Sequence, residues 1–245
     1  METGLTKDLQ SILFIDIECT PQHQSFFDLD EGMQALWEKK SRRFDHNGDS
    51  AEIADLYENR SGIFAEFGKI ICISVGYLRI EDDGSAEFRI TSFSGDDETR
   101  ILTDFFELLN SHYNKSYHQL CGHNIKDFDV PYICRRATIH GIKLPNILDV
   151  SSKKPRELPF VDTLEMWKFG ERKHFVSLDL LTRVLGLPTP KTDISGEQVA
   201  RVYRDDKDLP RIVAYCERDI VAVAQVYLKC NHIAYNQHIN WGITE

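Results

Sequence analysis

The 245-residue sequence has no excess of positive charge. Its 29 lysines and arginines face 39 aspartates and glutamates, a formal net charge of -10. That balance counts against a protein that grips long duplex nucleic acid by neutralising phosphates. It leaves room for a short contact in which bound cations supply the local positive charge. Long apolar runs are also missing, and none is long enough to span a bilayer. The opening METGLTKDLQ lacks a basic segment followed by an apolar stretch, so the sequence predicts a cytosolic chain without a secretory signal. No glycine-rich phosphate cradle is present, which argues against a nucleotide-cofactor enzyme. The six cysteines, at 19, 72, 121, 134, 216 and 230, form no CxxC pair and no zinc-finger spacing. Free thiols and no structural zinc are expected. Internal repeats and low-complexity tracts are lacking as well.

What remains is an ordinary globular composition, 42% hydrophobic and 28% charged. The length suits one domain over 1–245, and the polar stretch at about 21–62 reads as a helical insertion within it. Ser11–Cys19 is an apolar, β-branched run and predicts a buried strand broken by Thr20-Pro21. Helical patterns follow near Met33–Phe44 and Ser50–Asn59, separated by the loop signal His46-Asn47-Gly48-Asp49. Lys69–Ile80 and Ala86–Phe93 predict a hairpin turning at Glu81–Gly84. Asp96–Tyr113 is an amphipathic helix. Tyr117–Cys121 is a short strand, and Phe128–His140 a helix stopped by Gly141. Phe160–Thr163 reads as a strand end entering a helix. Helices are then predicted over Ser177–Leu185, Ser195–Arg204 and Leu209–Lys229, with Ser177 as an N-cap and Pro210 at a helix start. This order predicts an α/β fold with a mixed central sheet flanked by helices.

Three groups of residues invite chemistry. Asp16 and Glu18 are two apart on a strand, so both project from one face. Like charges inside an apolar run are costly without a counter-cation, and hard divalent ions take such oxygen ligands. A strand end reaching solvent explains the pair equally well. The second group runs from Gly122 to Asp129 after a short strand and places Asp129 at a helix start. A plain helix cap is the competing account. The third is Tyr215 and Asp219, four apart on one helical face; a rim tyrosine and a surface ion pair with Arg218 or Arg211 compete there.

Each group alone is common, but their order and context together are not. The strand Asp16-Ile17-Glu18, the segment Asn124 to Asp129 and the helical pair Tyr215 and Asp219 resemble the three motifs of the DEDD (DnaQ-like) exonuclease superfamily. The resemblance is to its DEDDy branch: the His branch would place histidine where Ala214 stands, whereas Tyr215 is four before the last aspartate. Phe67–Ser74, Phe160–Leu164 and Ser177–Leu181 are similar to stand-alone bacterial proteins related to the proofreading exonuclease domain of family B DNA polymerases. The resemblance covers about Ile12 to Tyr227.

It implies an RNase H-like fold and a 3'-5' exonuclease acting on the 3' end of single-stranded nucleic acid. DNA is the preferred substrate, and nucleoside 5'-monophosphates are the products. It implies two divalent ions, Mg2+ or Mn2+, as cofactors. The carboxylate matching Asp16 bridges both in the family. Those matching Glu18 and Asp219 hold one ion, and the one matching Asp129 supports the other. Tyr215 would orient the attacking water, since a phenol of pKa about 10 is a poor base at neutral pH. An exoribonuclease and a non-catalytic nucleic-acid-binding module are the alternatives. A polymerase or repair partner is implied only by analogy.

Secondary expectations concern the strand's path. Asn124, Lys168, Arg172 and Lys173 are candidate substrate contacts, with Lys153, Lys154 and Arg156 as further cations of the same loop region. Asp162 is expected to cap the helix after it, and His123 to support the turn. Phe26, Phe27 and Trp37 are expected to pack in the insertion, and Cys19, Cys121 and Cys216 to pack around the motifs.

Overall fold

A computed structural model describes residues 9–44, 49–81, 85–188, 194–233 and 239–242. The predicted loop at 46–48 and most of the predicted turn at 82–84 lie outside the described residues. Among the described residues, no helix is long and apolar enough to cross a membrane.

The centre is a mixed sheet of β1 (Ile12–Pro21), β2 (Gly68–Ile80), β3 (Ala86–Ser94), β4 (Gln119–Gly122), β5 (Phe160–Asp162) and β6 (Ile239–Asn240). Its spatial order is β5-β4-β1-β2-β3-β6. β1 pairs antiparallel with β2 and β2 antiparallel with β3, while β4 pairs parallel with both β1 and β5, and β6 parallel with β3. β1 lies inside the sheet, which is why it is apolar on both faces. It runs through Thr20 to Pro21, two residues past the predicted end, because Thr20 and Pro21 still register with Lys69 and Gly68.

The two faces of β1 meet different helices. Leu13, Ile15 and Ile17 join one core with α3 (Glu98–His112) and α4 (Asp129–Ile139). Ile12 and Phe14 join another with the long helix α7 (Leu209–Cys230), through Ile220, Val223 and Ala224. Asp16 and Glu18 continue the second series by the strand's period of two. Their direction toward α7 is therefore set by the alternation itself.

Between β1 and β2 stand α1 (Glu31–Ser41) and α2 (Ser50–Arg60), capped by Asp30 and Asp49. They enclose an aromatic core of Phe26, Trp37, Tyr57 and Phe67, with Trp37 Nε1 donating to Ile53 O at 3.1 Å. Phe26 and Trp37 pack as expected, but Phe27 is 66% exposed. Its short helical turn aims only the first of the two adjacent rings inward. This layer is tied to α4 by Tyr132 Oη donating to Gly62 O at 2.7 Å and by Arg136 donating to Ala65 O at 2.9 Å.

Two shorter helices, α5 (Thr163–Lys168) and α6 (Leu178–Val184), follow β5. Ser177 caps α6 through Leu180 N, and Gly186 closes it at φ 66°. The single helix expected over Ser195–Arg204 is instead three pieces. A 3-10 turn (Gly196–Gln198) leads into one α-turn (Val199–Arg201) and a π-turn (Val202–Asp206). Lys207 then takes φ 53° and Asp208 caps α7. Burial of Val199, Val202 and Ile212 in one cluster with Ile71 dictates this winding in place of a straight helix.

Candidate active site

Asp16 and Glu18 sit where β1 changes register. The pairing slips between Glu18, opposite Cys72, and Cys19, opposite Ile70. Such bulges re-aim side chains next to active sites. Glu18 is buried and Asp16 half-buried. One ligand atom from each of Asp16, Glu18 and Cys216 lies within 4.8 Å of the other two. Cys216 Sγ donates to the Asp16 carboxylate at 3.3 Å.

Asp129 opens α4 and is only 4% exposed. Its position depends on the preceding loop, where Asn124 turns through φ 65°. Asp162 holds that loop: its carboxylate accepts Asn124 N at 2.9 Å and Lys126 N at 3.2 Å. The same carboxylate caps α5 at Leu164 N and Glu165 N. The expected cap is present, and with it a second task. His123 braces the turn as expected, with Nδ1 against Thr163 Oγ1 at 2.9 Å and Nε2 against Val176 O at 2.8 Å. Burial holds its ring below the ordinary histidine pKa.

Tyr215 and Asp219 face the same place from α7, and the Asp219 carboxylate acts on the tyrosine hydroxyl. Side chains from β1, α4 and α7 thus act on one another. Burial, then the charges of Asp219 and Asp129, push Asp16 well above the usual carboxylate range. Burial and then Asp16 and Asp219 do the same to Glu18. Asp129 is raised to about 7 by burial, against hydrogen bonding from its own amide and from that of Ile17. Asp219 is raised to about 6, again by burial first, with Asp179 of α6 adding repulsion. Tyr215 is pushed far up by burial and by the carboxylates around it. A set of buried acids that resist ionisation is a set short of positive charge.

The sequence analysis missed two contributors. Cys216, expected only to pack, touches Asp16, and Asp179 acts on Asp219. Neither leaves a mark at motif spacing; only the proximity of Cys216 to Tyr215 could have hinted at it. Of the cations expected to meet substrate, Lys168 is half-buried beside His123, while Arg172 and Lys173 are exposed. Lys168 closes α5, and Arg172 and Lys173 follow it on the segment before α6. The Asn124 backbone amide is spent on Asp162. A groove of about 410 Å³ runs from Tyr215 and Asp219 past Gly196 to Ser177 and Asp179.

A meander of three antiparallel strands, extended by parallel β4 and β5 and carrying acids on an inner strand, defines an RNase H-like fold. The chain matches the family B DNA polymerase from the hyperthermophilic archaeon Pyrobaculum calidifontis with a TM-score of 0.54 at 16% identity. That match covers 89% of this chain and 24% of the polymerase, and at such identity it speaks for the fold. A DNA polymerase of Pyrococcus glycovorans is 29% identical over 110 residues, 40% of this chain and 14% of that protein. The chain thus spans about a quarter or less of the length of these polymerases. Residues 63–239 match the family described as "Predicted 3'-5' exonuclease related to the exonuclease domain of PolB", and the chain belongs to that family. It is an exonuclease-type enzyme by descent. The matched segment contains Asp129, Tyr215 and Asp219 and begins after β1.

Proposed function

We propose that this chain is a single exonuclease domain of the DEDDy type, working in the cytoplasm on the 3' end of single-stranded nucleic acid, DNA in preference to RNA. It hydrolyses the terminal phosphodiester and releases nucleoside 5'-monophosphates. The observation that supports this most is the gathering of Asp16, Glu18, Asp129 and Asp219, carried by β1, α4 and α7, into one mutually repelling group. The protonation that burial and then repulsion favour is the signature of a site suited to cations.

The four carboxylates fit two divalent ions, magnesium or manganese, whose oxygen preference they satisfy. When bound, the ions supply charge stabilisation to the phosphodiester and acidify the attacking water. The protein's own groups do the rest. Asp162 fixes the loop that sets Asp129 in place. Tyr215 keeps its proton at neutral pH, because burial and the neighbouring acids oppose its ionisation. Its hydroxyl, beside Asp219, orients water and does not act as a base. Asn124, Lys168, Arg172 and Lys173 guide the strand. Proofreading or repair would engage a polymerase or repair partner.

End-labelled single-stranded DNA and RNA, incubated with magnesium, manganese or chelator, test this directly. A metal-dependent ladder shortening from the 3' end is expected, and Asp16→Ala and Asp219→Ala each abolish it. Full activity in Asp219→Ala would overturn the assignment.

A further inference from the structure

The segment between α5 and α6 breaks two ordinary rules at once. Phe169 ends α5 in the left-handed region at φ 45°, a place that favours glycine, and Gly170 follows at φ 91°. A bulky aromatic held there is strained, and strain of this kind clusters at ligand clamps. Burial does not offset it, since Phe169 is 87% exposed, with its ring centroid 6.4 Å from that of Trp167. Phe175, at the other end of the segment, is 69% exposed.

The chemistry between the two rings is cationic. Lys168, Arg172, Lys173 and His174 share the stretch with one acid, Glu171, which lies 3.7 Å from His174 Nδ1. In a protein of net charge -10 this is a local reversal of sign. The elements flanking the segment connect it to the acidic cluster. At one end α5 is capped by Asp162, which also sets the loop before Asp129. At the other, Val176 O receives His123, and Ser177 lines the groove that reaches Asp219.

We propose that Phe169 and Phe175 form a stacking platform for bases of a single strand whose end lies at the acidic cluster, with Arg172 and Lys173 on its phosphates. The inference rests on the exonuclease reading above and names how that site holds its substrate. Exposed rings beside cations are what sequence-tolerant single-strand binding uses, because every base has a π-face. The occupant is a nucleic acid strand rather than a protein surface, because the rings are interleaved with cations while the rest of the molecule is acidic.

The test uses the full chain carrying Asp219→Asn, which blocks cleavage, and a fluorescent thymidine homo-oligomer read by anisotropy. Phe169→Gly relieves the backbone strain, so its melting temperature should hold or rise. Its affinity for the strand should nevertheless fall about 10-fold, as should that of Phe175→Ser, from the loss of one stacked base each. Unchanged affinity in both variants overturns the platform, as does a parent protein that binds no strand. If the variants lose self-association in sedimentation while strand binding is intact, the surface is a protein contact and the proposal fails. Strand binding through the rings in a protein whose unsubstituted form hydrolyses nothing refutes the exonuclease reading alone. Hydrolysis with ring-independent affinity refutes the platform alone.

Discussion

Tyr215 is the residue whose role is most open to a one-atom test. Burial and the carboxylates around it keep its hydroxyl protonated. Removing one positioned donor typically costs 10²–10³ in rate. Tyr215→Phe should therefore lower kcat about 100-fold while a manganese titration keeps its stoichiometry; loss of metal binding would assign the phenol a different job. At this scale much of the site was legible in sequence. The i,i+2 spacing of Asp16 and Glu18 and the i,i+4 spacing of Tyr215 and Asp219 carried the geometry that brings them together. Cys216 was not legible. Its thiol reaches Asp16 across 200 residues, and no local spacing encodes such a contact. Phe27 and Phe169 were equally silent, because exposure of an aromatic depends on what the rest of the chain covers.

Among elements, Asp162 stands out because one carboxylate serves two of them. It accepts amides from the loop before α4 and from the first turn of α5. Asp162→Ala should remove a cap worth about 1–2 kcal/mol and leave donors of the α4 loop unmatched. The expected result is a lower urea midpoint together with reduced kcat, since Asp129 loses its support. Stability loss with kcat unchanged would show that Asp129 finds its place unaided. A second joint ties α3 to α4. Glu98 accepts from Arg136 Nη2 at 2.5 Å and from Ile70 N at 2.7 Å, and both side chains are buried. Despite burial, the bonds from Arg136, Ile70 and His140 hold Glu98 below its usual pKa. Arg136→Leu strands that charge and should destabilise by about 3–5 kcal/mol. With the pair intact, its contribution is complete above the ordinary glutamate pKa of about 4.3 and is lost as pH falls through the lower folded value. Calorimetry should therefore show the variant and parent converging in acid. Element positions were largely readable from periodicity and caps. The 196–206 region was not, because its winding answers to Ile71 and Ile212, which are distant in sequence.

For the molecule as a whole, charge sets the expected salt response. Three cations, Lys168, Arg172 and Lys173, would release counterions on binding a strand. The slope of log affinity against log salt for a single strand is then about -2. Anisotropy titrations between roughly 50 and 200 mM potassium chloride measure it, and a slope steeper than about -5 would mean a far larger basic footprint than this chain offers. The fold class was legible at this scale because strand and helix order is a coarse signal. The direction in which each face of β1 looks became certain only with the two cores in view.

That arrangement has a consequence in time. Asp16 belongs to β1 and Asp219 to α7, so β2 to β5 and the helices between them must all be synthesised before the two can meet. A nascent copy that has made only β1 carries Asp16 and Glu18 with nothing to complete the acidic cluster. On the exonuclease reading, a growing copy stays harmless by the order of its elements: hydrolysis would begin only once α7 closes against β1.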